Sequence, residues 1–198
     1  MDKIKEIIIG TNNQGKYEEI SNLLPNKIKK YSPKTFNILS PRETGKSFEE
    51  NSFIKASYFS KKTNLICLSD DSGLEIDLLN GKPGIYSSRW AGQKNNFDLA
   101  IEKIYKEMSL IKKDWSNSNK ARFICCMTLL WPNNKSYTSK GIVEGTISKK
   151  KIGKNGFGYD PIFIPEGYSK TFAEMTSNLK ISIDHRSKAY FQIKQFFD

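Results

Sequence analysis

Asp70-Asp71-Ser72-Gly73 sets two adjacent carboxylates behind the apolar run Leu65-Ile66-Cys67-Leu68-Ser69. Carboxylate oxygens bind hard cations such as magnesium, and an unprotonated carboxylate can take a proton from water. Two like charges this close are costly unless a cation or a shared proton relieves them, and such pairs often divide into different roles. The apolar run predicts a short buried strand, which puts both acids at a strand end, where open α/β sheets keep their ligands. Asp, Ser and Gly are also turn formers, so the tetrapeptide alone reads as well as a turn into a hairpin partner over 74–79.

A second constellation precedes it. Gly10-Thr11-Asn12-Asn13-Gln14-Gly15-Lys16 has the Gly-x-x-x-x-Gly-Lys spacing of a P-loop, but Tyr17 stands where a Ser or Thr hydroxyl would bind magnesium. The unpaired N–H groups and positive dipole of a helix N-terminus, with Lys16, still suit a phosphate. A plain Asn N-cap with a surface lysine is the alternative. If the loop grips phosphate without a metal ligand, the metal falls to Asp70 and Asp71. Glu43, in Arg42-Glu43-Thr44-Gly45, could complete an oxygen-rich site. Taken singly, Glu43 reads as an exposed loop residue and Lys55 as a surface lysine.

The elements that must carry these residues alternate between strand-like and helix-like, which favours an α/β fold. A strand is expected over 5–10 and a helix over 14–24, with Tyr17, Ile20, Leu23 and Leu24 on one face and Pro25 as the stop. A second helix is expected over 47–62. A third, over 95–108, carries Phe97, Ile101, Ile104, Tyr105 and Met108 at spacings of three and four. Residues 110–120 read as a polar, mobile loop. Residues 122–131 and 136–147, separated by Pro132-Asn133-Asn134, read as a long hairpin. A strand over 159–164 and a closing helix over 184–197, with Ala189, Ile193, Phe196 and Phe197 inward, complete the chain. The expected architecture is a single domain over 1–198 with a central mixed sheet flanked by helices, in two lobes around a cleft.

Composition narrows the function. The net charge is +11, yet the lysines are spread along all 198 residues and mixed with 21 acids. The one tight run, Lys149-Lys150-Lys151 with Lys154, reads as a solvated loop. No zinc-ligand spacing, RNP-like strand or arginine-rich arm supports a nucleic-acid module. A single histidine, His185, excludes a multi-histidine metal site, and no Gly-x-Ser-x-Gly elbow is present. Cys67, Cys125 and Cys126 lie in apolar runs and read as reduced, buried thiols in a cytoplasmic setting. The opening residues lack a signal-peptide core, and no stretch approaches the ~20 apolar residues of a membrane span.

Six blocks in order resemble the inosine triphosphate pyrophosphatase family: Thr11 to Lys16; Ser47-Phe48-Glu49-Glu50-Asn51; Ser69 to Leu74; Gly81 to Gly92; Gly156-Phe157-Gly158-Tyr159-Asp160-Pro161-Ile162-Phe163; and Lys170 to Met175 with His185-Arg186. The resemblance implies hydrolysis of ITP, dITP and XTP to the monophosphate and pyrophosphate, cleansing the nucleotide pool. It also implies magnesium, a homodimer with an elongated sheet, and no nucleic-acid or membrane partner. Asp71 then looks like the proton acceptor, with Glu43 and Asp71 at the metal and Asp70 in support. Thr11, Asn12, Asn13, Gln14, Gly15, Lys16, Lys55, Ser72 and Lys180 would hold phosphates and sugar. Phe157, Gly158, Tyr159, Asp160, His185 and Arg186 would take the base. A related fold acting on dTTP, UTP or modified nucleotides is the second reading, and a basic nucleic-acid-binding domain the third. Asn12 replaces a family glycine, which predicts a left-handed backbone there; Ile181 and Asp184 also depart from the family pattern.

Overall fold

Ile7, Ile8 and Ile9 are wholly buried in β1 (Glu6–Ile9), an unbroken apolar run of the kind found in parallel strands covered on both faces. The computed structural model describes residues 3–92 and 95–198, and Met1, Asp2, Gln93 and Lys94 lie outside them. β1 pairs in parallel with β2 (Lys29–Tyr31) and β3 (Cys67–Ile76). α1 (Gln14–Leu23) connects β1 to β2, and α2 (Phe48–Thr63) precedes β3. After β3 come α3 (Ser87–Trp90), α4 (Phe97–Ile111), β4 (Lys120–Leu130) and β5 (Ser136–Ile147). The last elements are β6 (Phe163–Pro165), antiparallel to β5, then α5 (Ser177–Ile183) and α6 (His185–Ile193). The strand order β2-β1-β3-β4-β5-β6 makes one mixed sheet, so the α/β reading holds.

The chain divides into two compact units. The first comprises the chain up to Asp71, Cys125–Gly141 and His185–Asp198; the second comprises Ser72–Ile124 and Ile142–Asp184. In the first unit successive strand residues feed different cores, as the pleat requires. Ile7, Ile9, Leu68 and Met127 pack with Ile20, Tyr190 and Ile193, while Ile8 and Cys67 pack with Ala56 and Phe59. In the second unit Ile101, Ile104 and Met108 of α4 face Leu74, Ile76 and an aromatic group in which Phe163 lies 4.6 Å from Phe123 and 5.3 Å from Phe172, ring to ring.

The structure corrects several local expectations. β3 runs without a break through Asp70-Asp71-Ser72-Gly73, so the acids lie within a strand, with neither a turn nor a hairpin partner at 74–79. α4 starts at Phe97 because Asn96 caps it, and continues to Ile111. The segment after it is not uniformly polar, since Trp115 is buried and stacks on Tyr105 at 6.0 Å. Residues Asp160–Ile162 form a 3-10 turn, with Pro161 near its start, and only Phe163–Pro165 is strand. The closing helix ends at Ile193, followed by a 3-10 turn over Lys194–Phe196, while Asp184 caps the C-terminus of α5. β2 was not anticipated. The three cysteines are free and buried, and burial pushes each thiol upward in pKa, which makes them poor nucleophiles.

α6 lies directly against β5 at Gly141. A Cβ there would sit 2.1 Å from the His185 carbonyl oxygen and 2.4 Å from the Ala189 nitrogen, both backbone atoms that cannot step aside. Gly141→Ala is therefore expected to destabilise the protein by at least about 2 kcal/mol, the range of overpacking strain, read as a lower urea midpoint at unchanged slope.

Candidate active site

Neighbouring residues of a strand point to opposite faces of the sheet, so the Asp70–Asp71 pair is split by the strand that carries it. Asp70 is fully buried. Its Oδ2 accepts from Lys16 Nζ at 3.2 Å and Arg186 Nε at 3.4 Å, and Cys125 Sγ lies 3.9 Å away. The other end of the Arg186 guanidinium pairs with Glu19 of α1. Arg186 thus bridges Asp70 and Glu19, and Lys16 shares the Asp70 oxygen with it. Burial alone would raise the pKa of Asp70, but Lys16, Arg186 and Lys55 overcome it and hold the carboxyl well below the usual range.

Asp71 meets α2 instead. Asn51 and Lys55 stand one helical turn apart and so share a face. Asn51 Nδ2 donates to Asp71 Oδ2 at 3.2 Å, and Lys55 Nζ donates to Asp71 Oδ1 at 3.2 Å and to Glu43 Oε1 at 2.6 Å. Burial raises the pKa of Asp71, and the nearby Lys55 and Lys16 only partly oppose it. The reverse holds for Lys55: burial disfavours its charge, but Asp71, Glu43 and Asp70 together raise its pKa, so it stays an ammonium. For Glu43, burial is outweighed mainly by Lys55 and the carboxyl is lowered. Lys55 therefore bridges the two carboxylates, and Lys16 adds a second positive charge that acts on both.

At the N-terminus of α1, Asn13 Oδ1 accepts from the Lys16 N–H at 3.1 Å and Thr11 Oγ1 accepts from the Asn13 N–H at 3.2 Å. The Gln14 side chain donates to Glu18 at 2.8 Å. Asn12 is not among the residues of positive φ, which overturns the expected left-handed backbone. Its amide instead donates to the Ile38 carbonyl at 3.3 Å and to Ser40 Oγ at 3.0 Å, tying the loop to the segment before Glu43.

The second unit holds a separate polar group. Lys180 is buried, with Nζ 2.6 Å from Asp160 Oδ2 and 5.1 Å from the Phe157 ring centroid. The same carboxylate oxygen accepts from the Phe157 N–H at 2.9 Å, so Asp160 fixes both the lysine and the backbone of the aromatic residue. Gly156 permits this: its φ is +73°, and a Cβ would lie 2.1 Å from Asp160 Oδ2. The Tyr159 hydroxyl donates to the Ser87 carbonyl at 2.8 Å, and its ring meets Phe97 edge-on at 5.2 Å.

The Ham1 family profile matches residues 7–196. The chain belongs to the Ham1 family. It is 41% identical over 198 residues to a dITP/XTP pyrophosphatase of Bartonella quintana, an alignment covering 94% of this chain and 92% of that protein. A HAM1 protein of Coxiella burnetii superposes with a TM-score of 0.86 at 36% identity, covering 97% of this chain and 98% of that one. The Staphylococcus aureus Ham1 protein gives a TM-score of 0.83 at 36% identity, covering 97% of each.

Within this Ham1 chain, Glu43, Lys55 and Asp71 come together on one face of β3, and Lys16, Asp70 and Arg186 on the other. In the second unit Phe157, Asp160 and Lys180 form one group, Gly158 takes a left-handed turn at φ +68°, and Ser72 follows Asp71 in β3. His185 is buried at the start of α6. Lys55, by itself a surface lysine, is 5% exposed. Lys149 and Lys151 are exposed and pair with Asp114 and Asp98, as a solvated loop would. Among the described residues, no group of three or more His, Cys, Asp or Glu side chains is arranged to hold a metal ion. Sequence reasoning did not single out Asn51 or Glu19. Asn51 closes the second resemblance block and stands four residues before Lys55, and neither signal assigns it a role.

Proposed function

We propose that this protein hydrolyses ITP, dITP and XTP to the monophosphate and pyrophosphate, a reading that its dITP/XTP pyrophosphatase relatives support. The observation that carries the reading is the buried carboxylate of Asp71, raised in pKa and held beside Lys55 and Glu43. A carboxylate so placed can act as a general base toward a water molecule, and its raised pKa improves the proton affinity that role needs. The two carboxylates of Glu43 and Asp71, both within reach of Lys55, are oxygen donors that fit a hard divalent cation, so magnesium would be held by these two, with Asp70 as a supporting charge behind the strand. When bound, magnesium supplies charge neutralisation on the triphosphate.

The remaining work falls to the chain's own residues. The N-terminus of α1, with Thr11 through Lys16, presents N–H donors and a cation to phosphate oxygens. Lys16 already has a counter-ion in Asp70, so it offers a held charge with little entropy left to lose. Phe157 offers a ring on which any purine can stack, which gives affinity without choice. Choice falls to donors: by resemblance His185 and Arg186 donate to a 6-keto oxygen, an acceptor that a 6-amino purine lacks. By resemblance Ser72, Gly158, Tyr159, Asp160 and Lys180 support phosphate, sugar and base, and the protein works as a cytoplasmic homodimer.

A panel of nucleoside triphosphates at equal concentration, with product identification, tests this reading. The expected result is pyrophosphate from dITP and XTP in the presence of magnesium, with kcat/KM for dATP lower by about 10²-fold or more. Orthophosphate as the first product would refute it.

A further inference from the structure

The segment carrying Glu43 is irregular, yet it is attached to α2 at several points. Ser47 caps the helix and accepts from the Glu50 N–H at 3.1 Å, and the Glu50 carboxylate accepts from the Lys46 N–H at 2.6 Å. One residue further along, Asn51 is wholly buried and uses both ends of its amide. Its Oδ1 accepts from the Gly45 N–H at 2.9 Å, which fixes which end is oxygen, so Nδ2 is the end that donates to Asp71 Oδ2 at 3.2 Å. Gly45 closes the contact. A Cβ on it would lie 2.7 Å from Asn51 Oδ1 and 2.7 Å from Glu50 Cβ, so only glycine lets the loop backbone come this near.

Two residues of α2 therefore connect the Glu43 segment to Asp71, by different means. Lys55 links the two carboxylates through a flexible, charged side chain. Asn51 links the Gly45 backbone to the other oxygen of Asp71 through a short, neutral side chain with two rotatable bonds. A lysine ammonium between two carboxylates is readily rearranged when another cation or a phosphate arrives. A buried amide with both ends satisfied is not.

We propose that Asn51 is a positioning residue: it holds the loop of Glu43 in register with Asp71, so the two carboxylates keep their relation independently of Lys55. The catalytic part of this inference rests on the function proposed above, while the structural part does not. A displacement of about 1 Å at a reacting group costs on the order of 10² in rate, and that sets the expected scale.

The test uses Asn51→Ala, which loses both hydrogen bonds, and Asn51→Asp, which keeps an acceptor for Gly45 and, when ionised, has no donor for Asp71. In nucleotide-free, metal-free protein, the Gly45 amide should exchange with solvent at least about tenfold faster in Asn51→Ala, and at close to the wild-type rate in Asn51→Asp, with β4 amides unchanged in both. With dITP and magnesium, both variants should lose about 10²-fold in kcat with KM within about threefold of wild type. Unchanged Gly45 exchange in Asn51→Ala, or a wild-type kcat in either variant, would overturn the proposal. If Asn51→Ala does not fold, Asn51→Asp decides through its kcat at a protected Gly45. Should the wild type release no pyrophosphate, the functional reading fails, and the exchange measurement still decides whether Asn51 holds the loop.

Discussion

Asp71→Asn is expected to lower kcat for pyrophosphate release from dITP by about 10³-fold while leaving the protein folded. The size follows from removing a general base, a role worth roughly 10² to 10⁴ in rate. The prediction of an intact fold follows from charge. In the wild type Lys55 faces both Glu43 and Asp71. An uncharged residue at position 71 leaves Lys55 and Glu43 as a matched pair and relieves a buried carboxylate whose ionised form is disfavoured by burial. Thermal and urea unfolding midpoints should thus stay within about 1 kcal/mol of wild type. Steady-state kinetics with pyrophosphate detection, alongside a melting curve on the same sample, separates the two effects. A variant that kept kcat within tenfold of wild type would remove Asp71 from the chemistry.

The elements most legible in the sequence are those whose burial is apolar. β1 reads as a run of three isoleucines, α4 as a helical stripe, and β4 with β5 as two long segments around Pro132-Asn133-Asn134. The candidate catalytic layer departs from this rule. In α2 the buried positions mix Phe48, Ala56 and Phe59 with Asn51, Ser52, Lys55 and Ser60, while Phe53 is 45% exposed, so hydrophobic periodicity marks only part of the buried face. β3 carries Ser69, Asp70 and Asp71 inside the sheet, and turn-forming residue types there suggested a chain reversal. What keeps them in a strand is supplied from far away in sequence: Lys16, Lys55 and Arg186 provide the charge, and no local window contains them. The motif spacing picked out residues that the fold brings together, Lys16 with Asp70 and Lys55 with Asp71, because chemistry constrains residue type. It could not tell that the strand would assign the two acids to different faces.

That assignment gives Asp70 a separate, structural consequence. Asp70 is the shared counter-ion of Lys16 and Arg186, fully buried, with Oδ1 lacking a hydrogen-bond partner among the described residues. Asp70→Asn keeps the shape but removes the charge, taking from Lys16 and the buried Arg186 the carboxylate they share. Breaking a buried pair from one side costs about 3–5 kcal/mol, so a loss of that order is expected in urea unfolding at neutral pH. The pH dependence has a definite sign. Burial opposes ionisation of Asp70, but Lys16, Arg186 and Lys55 prevail, and the folded pKa lies below the unfolded one. Stabilisation from this carboxylate is then fully present above the unfolded value of about 3.9 and is lost as pH falls through the folded pKa. The difference in unfolding free energy between wild type and Asp70→Asn should be constant from pH 8 to about pH 5 and shrink below about pH 4. A difference that grew on acidification would mean that Asp70 is protonated in the folded protein at neutral pH, and that Lys16 and Arg186 are held by something else.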